Sequence, residues 1–232
     1  MIRGSGCPAL AVLWVALLAP LPGVPAEAAQ LSGSVSFVGK DGKSAGGAVD
    51  PRHTVVYFVP KTPVARLTPA TAEMVTRGKE FVPLVLPVTR GSTVKFPNFD
   101  PILHNVFSVS GQNRFDLGLY SKGPGKPWTF KTSGVARVFC NVHHAMVGYV
   151  LVLDTPYFTT AGTSGAFSLA GVPEGDGKLT VWHPQAEPLT IDYRVGAPLP
   201  PLKLTVVRER VPPHLNKSGQ EYSRDRRDRY DR

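Results

Sequence analysis

One segment decides how this chain folds, and its sequence is Phe139-Cys140-Asn141-Val142-His143-His144-Ala145-Met146-Val147-Gly148-Tyr149-Val150. Within it, Cys140, His143 and Met146 form the spacing C-x-x-H-x-x-M between two predicted strands, 135–139 and 148–153. One tight loop can bring these three side chains round a single ion. His104 opens another predicted strand, 104–109, and a neighbouring strand end is where a fourth ligand would come from.

The chemistry of these side chains indicates copper. One thiolate, two imidazoles and a thioether are the ligands of a blue-copper site, in which the Cys and both His lie near one plane and the Met is a weak axial ligand. A structural zinc site uses four Cys or His ligands, and Met is a poor ligand for zinc. The sequence therefore predicts one type 1 copper ion, held by His104, Cys140, His143 and Met146. The adjacent His144 could compete as a ligand.

Other roles for these residues stay open. A lone Cys is often a small buried hydrophobe, and a Met often fills a core. A nucleophilic Cys–His pair is a further alternative, but such a cysteine normally lies at a helix N-terminus or in an electropositive pocket, whereas Cys140 follows a strand. A multicopper oxidase needs a second cluster of His ligands, and the remaining His are scattered. We therefore predict that the protein is not an enzyme.

The composition favours short strands joined by turns. The chain has 232 residues, of which 42% are apolar, 23 are Gly and 23 are Pro. Gly and Pro among Val, Thr and Phe are typical of strands and turns, and no stretch keeps a helical period over three turns. The predicted strands are 31–38, 54–59, 82–88, 93–96, 104–109, 128–132, 135–139, 148–153, 165–169, 179–182 and 202–207. This pattern excludes a helix bundle and predicts an all-β fold of sandwiches or barrels.

Residues 1–28 have the pattern of a secretory signal peptide. Arg3 precedes an apolar run at 9–19, and Ala26-Glu27-Ala28 places small residues at the cleavage positions before Ala29. The apolar run is shorter than the roughly 20 residues that a membrane anchor requires, so we expect no stable membrane insertion. Cleavage would remove Cys7 and leave Cys140 as the one cysteine. We expect the mature chain to be secreted across the inner membrane into the periplasm.

Charge distinguishes the end of the chain from its body. Residues 212–232 mix Arg with Asp, hold few apolar side chains and are predicted to form a disordered charged tail. This tail is either a solvated segment or an arm for an acidic partner. The whole chain carries 26 Lys+Arg against 17 Asp+Glu, a net charge of +9, which favours docking to an acidic protein patch. Nothing in the sequence resembles a nucleic-acid module, so no nucleic-acid partner is expected.

Residues 71–154 resemble a cupredoxin, most closely the amicyanin and plastocyanin group. The stretches that carry the resemblance are Lys79-Glu80-Phe81-Val82-Pro83, Val88-Thr89-Arg90-Gly91-Ser92-Thr93-Val94-Lys95-Phe96, His104-Asn105-Val106-Phe107, Thr129-Phe130, Gly134-Val135, Phe139-Cys140 and Met146-x-Gly148-x-Val150. The two-residue gap between His143 and Met146 is the short loop of the amicyanins.

This resemblance implies an eight-stranded Greek-key sandwich that holds type 1 copper at one end. The ligand roles that it carries over fall on His104, Cys140, His143 and Met146. It also implies that Asn105 rigidifies the site through hydrogen bonds near the Cys sulfur.

The chain departs from the family between the Cys and the His. The family often has Thr or Ser followed by Pro there, where this chain has Asn141 and Val142. His144, beside the ligand His, is an extra residue of this chain. We expect Asn141 and His144 to alter the surroundings of the ligands and to shift the reduction potential.

The flanking segments resemble a second module, a carboxypeptidase-regulatory-like (transthyretin-like) β-sandwich. The stretches that carry this resemblance are Leu31-Ser32-Gly33-Ser34-Val35-Ser36-Phe37 with Asp41-Gly42, Gly165-Ala166-Phe167-Ser168-Leu169-Ala170-Gly171-Val172-Pro173 and Leu179-Thr180-Val181-Trp182-His183. It implies a sandwich split into 30–62 and 156–208, with the cupredoxin domain inserted between the two parts. The alternative is that 30–62 simply adds strands to the cupredoxin.

Taken together, the sequence predicts a secreted one-electron carrier between redox proteins. In this family the loop bearing the second His usually reaches the surface, so the predicted electron port consists of His143, Pro101, Val142, Ala145 and Val147. The partner would be a cytochrome or a dehydrogenase that docks transiently. The alternative is a copper-binding chaperone or scavenger that holds copper(I) without an electron-transfer role.

Overall fold

The computed structural model describes residue 1 and residues 29–45, 47, 49–64, 66–207, 211 and 213–222. Apart from Met1, the predicted signal segment 1–28 lies outside the described residues. The described residues form seventeen strands and a 3-10 turn at Pro51–His53. The strands are β1 (Ala29–Val38), β2 (Val55–Pro60), β3 (Thr71–Glu73), β4 (Val75–Arg77), β5 (Glu80–Val82), β6 (Val85–Thr89), β7 (Thr93–Asn98), β8 (His104–Ser110), β9 (Asn113–Tyr120), β10 (Gly123–Thr129), β11 (Gly134–Phe139), β12 (Val147–Leu153), β13 (Phe158–Thr160), β14 (Ala166–Val172), β15 (Asp176–Trp182), β16 (Leu189–Arg194) and β17 (Leu202–Thr205).

These strands form four sheets, which we number I to IV. Sheet I has the order β14-β1-β17, and sheet II has the order β13-β2-β15-β16. Sheet III has the order β6-β12-β11-β8-β9, and sheet IV has the order β10-β7-β4-β5 with β3 paired to β7. The strands of sheets III and IV all lie in the chain between β2 and β13. The sandwich of sheets III and IV is therefore inserted in the chain that forms sheets I and II.

Three apolar clusters hold the sheets together. The first lies between sheets I and II and contains Phe58 and Leu179. The second lies between sheets III and IV and contains Phe96 and Cys140. The third contains Trp182 from sheet II and residues of sheet III, so it joins the two sandwiches face to face. Because sheet III is covered on both sides, it is the rigid inner layer from which the candidate site projects.

Strand β12 packs against a different apolar cluster on each of its two faces. All seven of its residues are buried. Successive side chains of a strand point to opposite faces. Val150 and Val152 accordingly belong to the cluster shared with sheet IV, while Tyr149 and Leu151 belong to the cluster shared with sheet II. A strand that is buried on both faces has a continuous apolar sequence instead of an alternating one.

The predicted all-β sandwich fold is confirmed, but several strands differ from their predicted positions. Strand β10 begins at Gly123, five residues before the predicted strand 128–132, and β3, β4, β9, β13 and β16 lie outside the predicted strands. Strand β10 contains two Pro, which a strand tolerates at the edge of a sheet, and β10 is the edge of sheet IV. At Gly125, with φ of +69°, a Cβ would lie 1.8 Å from the Phe96 carbonyl oxygen, so the close approach requires glycine. Among the described residues, no helix is long and apolar enough to span a membrane.

The contact between the two sandwiches should contribute strongly to stability. Leu151 is 3% exposed in the cluster between sheets II and III. Leu151→Ala should lower the free energy of unfolding by about 2–4 kcal/mol, because it removes buried methyl groups and leaves a cavity. Urea denaturation followed by tryptophan fluorescence measures the change. Val109→Ala is the matched control, since Val109 is 39% exposed on β8. Equal losses in the two variants would contradict this packing.

Candidate metal centre

Three of the predicted ligands meet at one end of sheet III. His104 is the first residue of β8, Cys140 follows the last residue of β11, and His143 lies in the loop before β12. The Cys140 Sγ lies 3.7 Å from His104 Nδ1 and 3.6 Å from His143 Nδ1. The centroids of the two imidazole rings are 4.7 Å apart. This group is suited to hold a metal ion, because its ligand atoms all lie within 4.8 Å of one another.

Met146 and His144, which flank Ala145 in the ligand loop, differ in burial. Met146 is buried in the same apolar cluster as Cys140. Its backbone N–H donates to the His143 carbonyl at 3.1 Å, which closes the loop as a tight turn. His144 is exposed and its ring faces Tyr222, with 6.1 Å between the ring centroids. The loop therefore turns His143 and Met146 inward and His144 outward.

The Cys140 sulfur is fully buried and surrounded by donors. Burial raises the pKa of the thiol, and the backbone N–H groups of Asn105, Val142 and His143, which donate to the sulfur, oppose that rise. Since the rise prevails, a thiolate here needs a cation beside it. Three donors aimed at a buried sulfur are what a metal thiolate requires from its surroundings.

A hydrogen-bond network orients His104. Its Nε2 lies 2.9 Å from Asp100 Oδ2, and the Asp100 carboxylate also accepts from the backbone N–H groups of Gly78 and Lys79. Burial acts to raise the pKa of Asp100, but these hydrogen bonds outweigh it and lower the pKa. Burial lowers the pKa of His104, and the nearby Asp100 offsets this only in part. A neutral ring that donates from Nε2 to Asp100 leaves the Nδ1 lone pair facing Cys140, as a metal ligand requires.

Asn105 and Asn141 make different hydrogen bonds in the neighbourhood of Cys140. The Asn105 backbone N–H donates to the Cys140 sulfur, while its side-chain Nδ2 donates to Asp116 Oδ1 at 2.7 Å. The Asn141 Oδ1 accepts from the backbone N–H of Lys217 at 3.0 Å. The link between Asn105 and the sulfur therefore passes through the backbone, and Asp116 fixes the side chain.

The residues of the predicted electron port do not all reach the surface. His143 and Val142 are half-buried, and Pro101 and Ala145 are exposed. Val147 departs from the prediction: it is 4% exposed and lies in the cluster between sheets II and III. As the first residue of β12, it shares the burial of that strand on both faces.

Part of the predicted tail lies against the centre. Of residues 212–232, the structure describes 213–222, and these contact the Cys140 loop through Lys217 and Tyr222. The Tyr222 hydroxyl donates to the Cys140 carbonyl at 3.1 Å. This segment differs from a solvated tail because its backbone and side chains have hydrogen-bond partners on the body of the protein.

Sequence reasoning missed Asp100, Asp116, Lys217 and Tyr222. A carboxylate four residues before a candidate His ligand was a usable signal for Asp100. Asp116 lies on β9, which was not predicted, so nothing placed it near Asn105. Lys217 and Tyr222 lie in a segment whose composition indicates disorder, and no local pattern could reveal a long-range contact.

His183 has a structural role. It is fully buried, its Nε2 donates to the Asp50 carbonyl at 3.2 Å, and its Nδ1 accepts from the Gln185 backbone N–H at 3.2 Å. Its ring packs edge-on against Phe37 of sheet I. Both ring nitrogens are therefore engaged within the sandwich of sheets I and II.

Comparisons with known proteins give matches among solved structures. No protein-family model matches the chain, and no curated protein matches it. A purple cupredoxin from Nitrosopumilus maritimus is 24% identical, with a TM-score of 0.31, over 35% of this chain and 99% of that one. Amicyanin from Paracoccus versutus is 23% identical, with a TM-score of 0.33, over 41% of this chain and 85% of that one. A pseudoazurin from Sinorhizobium meliloti is 21% identical, with a TM-score of 0.31, over 36% and 74%. All three scores lie below 0.5, so the function proposed below rests on the residues of this chain.

The burial of His183 should make stability depend on pH. Burial is the main cause that lowers its pKa to about 4. Between pH 6.5 and 4 the unfolded chain binds the proton and the folded chain does not, so the free energy of unfolding falls as the pH falls, by up to about 3 kcal/mol. Above pH 6.5 His183 is neutral in both the folded and the unfolded chain, so it no longer makes the free energy of unfolding depend on pH. Urea unfolding at pH 7, 5.5 and 4.5 should show a smaller decline in His183→Gln. Parallel declines in the two proteins would rule out this contribution.

Proposed function

We propose that this protein is a type 1 copper protein that carries single electrons between redox proteins. The observation that supports it most is the convergence of His104 Nδ1 and His143 Nδ1 on the buried Cys140 sulfur at 3.7 and 3.6 Å. We assign His104, Cys140 and His143 as the residues that would hold the copper ion, with the buried Met146 as a weaker fourth ligand. Bound copper would supply a couple between copper(II) and copper(I), in which one electron enters from a reduced donor and leaves to an oxidised acceptor.

The chain's own contribution is to keep the ligands fixed. Cys140 and His104 are anchored at the ends of adjacent strands, where Phe139, directly before Cys140, pairs with Phe107, three residues after His104. Asp100 fixes the His104 ring, and the Met146 N–H closes the loop on His143. Side chains held by packing and hydrogen bonds change little when the charge of the centre changes by one. Small rearrangement favours fast electron transfer.

Electron exchange is assigned to the surface next to His143. Ala145, two residues after His143, is exposed, and so are Pro101, Phe99 and Leu103 in the segment that leads into His104; sequence reasoning did not include Phe99 and Leu103. Exposed apolar residues close in sequence to the ligand residues suit weak and transient docking. We expect the partner to be a cytochrome or a dehydrogenase with an acidic rim, since this chain carries a net charge of +9.

The proposal extends to the organisation and location of the chain. We assign residues 71–154 to a cupredoxin domain, and 30–62 with 156–208 to a carboxypeptidase-regulatory-like sandwich. Separate apolar clusters within the two sandwiches support this division. We further propose secretion to the periplasm, on the sequence pattern of residues 1–28.

The visible spectrum tests the proposal. Copper(II) added to the protein should produce an intense thiolate-to-copper band in the visible range, and Cys140→Ser should abolish it because the thiolate is lost. Cyclic voltammetry of the blue protein should then show a reversible one-electron couple.

Two results would contradict this function. A colourless copper complex, or a band that persists in Cys140→Ser, would exclude a copper thiolate. A blue protein without a reversible couple would favour the copper chaperone or scavenger.

The hydrogen bond from His104 to Asp100 should support metal affinity. Asp100→Ala removes the partner of Nε2, so the ring loses its fixed orientation, and copper affinity should fall by about 10–100-fold. Competition with a chelator of known affinity measures this change. Asp192→Ala is the control, because Asp192 pairs with Lys178 on the exposed surface of sheet II. Unchanged affinity in Asp100→Ala would remove this residue from the proposed site.

A further inference from the structure

We call residues 213–222 the strap. The strap contacts the residues directly before and after Cys140, and the Cys140 carbonyl itself. One of its aromatic contacts is made by His214, whose ring stacks on Phe139 with 4.0 Å between centroids and an interplanar angle of 14°. Phe139 is buried and directly precedes Cys140. The strap thus begins against the strand that leads into Cys140.

Two hydrogen bonds connect the strap to the ligand loop. The Tyr222 hydroxyl donates to the Cys140 carbonyl at 3.1 Å, and the Lys217 backbone N–H donates to Asn141 Oδ1 at 3.0 Å. The two acceptors belong to consecutive residues, so the strap holds the first part of the loop from outside. Loss of either bond would leave the loop freer to open.

A second route leads from the strap to the sulfur. The Lys217 Nζ lies 2.7 Å from Asp116 Oδ2, and Asp116 Oδ1 accepts from Asn105 Nδ2 at 2.7 Å. The Asn105 backbone N–H in turn donates to the Cys140 sulfur. Lys217 is therefore linked to Cys140 through two residues of sheet III.

The strap has a defined shape of its own. The Asn216 Oδ1 accepts from the backbone N–H groups of Ser218 and Gln220, at 2.9 and 3.0 Å. The Asn216 backbone N–H donates to the Gln220 carbonyl at 2.8 Å. This turn presents Lys217 and, two residues beyond its end, Tyr222 to the loop.

We propose that the strap is a positioning device for Cys140, in which Tyr222 and Lys217 restrain the ligand loop and tune the site. The tuning of the reduction potential rests on the proposed function, whereas the restraint of the loop does not. The hydroxyl hydrogen of Tyr222 and the ammonium of Lys217 both place positive charge toward the centre. Positive charge there favours the copper(I) form, which carries one positive charge fewer, so the strap raises the reduction potential.

The restraint is tested without copper, in the full chain. Cys140 reacts with iodoacetamide only when the loop opens, because its side chain is fully buried. Tyr222→Phe, which removes the bond to the Cys140 carbonyl, should increase the rate of Cys140 alkylation by about three- to tenfold. Lys217→Gln removes the bond from Nζ to Asp116 and keeps the backbone bond to Asn141, so it should give a smaller increase, of about two- to threefold. Mass spectrometry of the peptide that contains Cys140 measures this rate. Tyr193→Phe is the matched control, because the Tyr193 hydroxyl also donates to a backbone carbonyl, that of Ala197, at 2.7 Å within the other sandwich.

The tuning is tested on the copper-loaded protein. Tyr222→Phe and Lys217→Gln should each shift the copper(II)/copper(I) balance about three- to tenfold toward copper(II), a decrease in potential of about 30–60 mV. Lys217→Arg, which keeps the charge, should restore most of the potential, and Tyr193→Phe should leave it unchanged. If the strap had only a structural role, Lys217→Arg would lower the potential as much as Lys217→Gln does.

The outcomes separate the two proposals. Alkylation rates that stay at the wild-type value in both strap variants would overturn the strap, whatever the copper chemistry. Faster alkylation in a protein without a blue band would support the strap as a loop restraint and refute the electron carrier. Faster alkylation with an unchanged potential would refute the tuning.

Discussion

The burial of one sulfur atom, Cys140 Sγ, is the constraint on which the centre depends. A buried thiol resists ionisation, and the three backbone N–H groups around it are not enough to reverse that preference. A thiolate in this position therefore depends on a cation. The two imidazole nitrogens at 3.6 and 3.7 Å and the buried Met146 supply the remaining donors for a soft metal.

The rest of the fold keeps those donors in place. Sheet III carries His104 and Cys140 on adjacent strands, and apolar clusters cover it on both faces. The sandwich of sheets I and II thus does more than flank the site, because its Trp182 packs against the same inner sheet that carries the ligands. Gly148 contributes on the other face, where a Cβ would lie only 3.0 Å from Met74 Sδ and from Phe81 Cβ. This close packing stiffens the strand that follows the ligand loop.

Local patterns in the sequence were sufficient for the all-β fold class and for the grouping of His104, Cys140 and His143 in one cluster. The spacing of Cys140, His143 and Met146 is short, so one loop determines their proximity, and β-rich segments between turns predict sandwiches without further information. Sequence patterns did not predict the features that depend on burial by a distant part of the chain or on long-range contacts. Val147 could not be distinguished from its exposed neighbours, because only the second sandwich buries that side of β12. Tyr222 lies in a charged segment, and its contact with Cys140 spans 82 residues of chain.

X-ray absorption at the copper edge tests the central claim most directly, because it reports the atoms bound to the metal. The proposed site predicts one sulfur and two imidazole nitrogens as near neighbours of copper in both oxidation states, with little change between them. In Cys140→Ser the near sulfur should disappear while the imidazoles remain. A copper shell of nitrogen and oxygen alone in the unaltered protein, or a near sulfur that survives in Cys140→Ser, would contradict the proposed site.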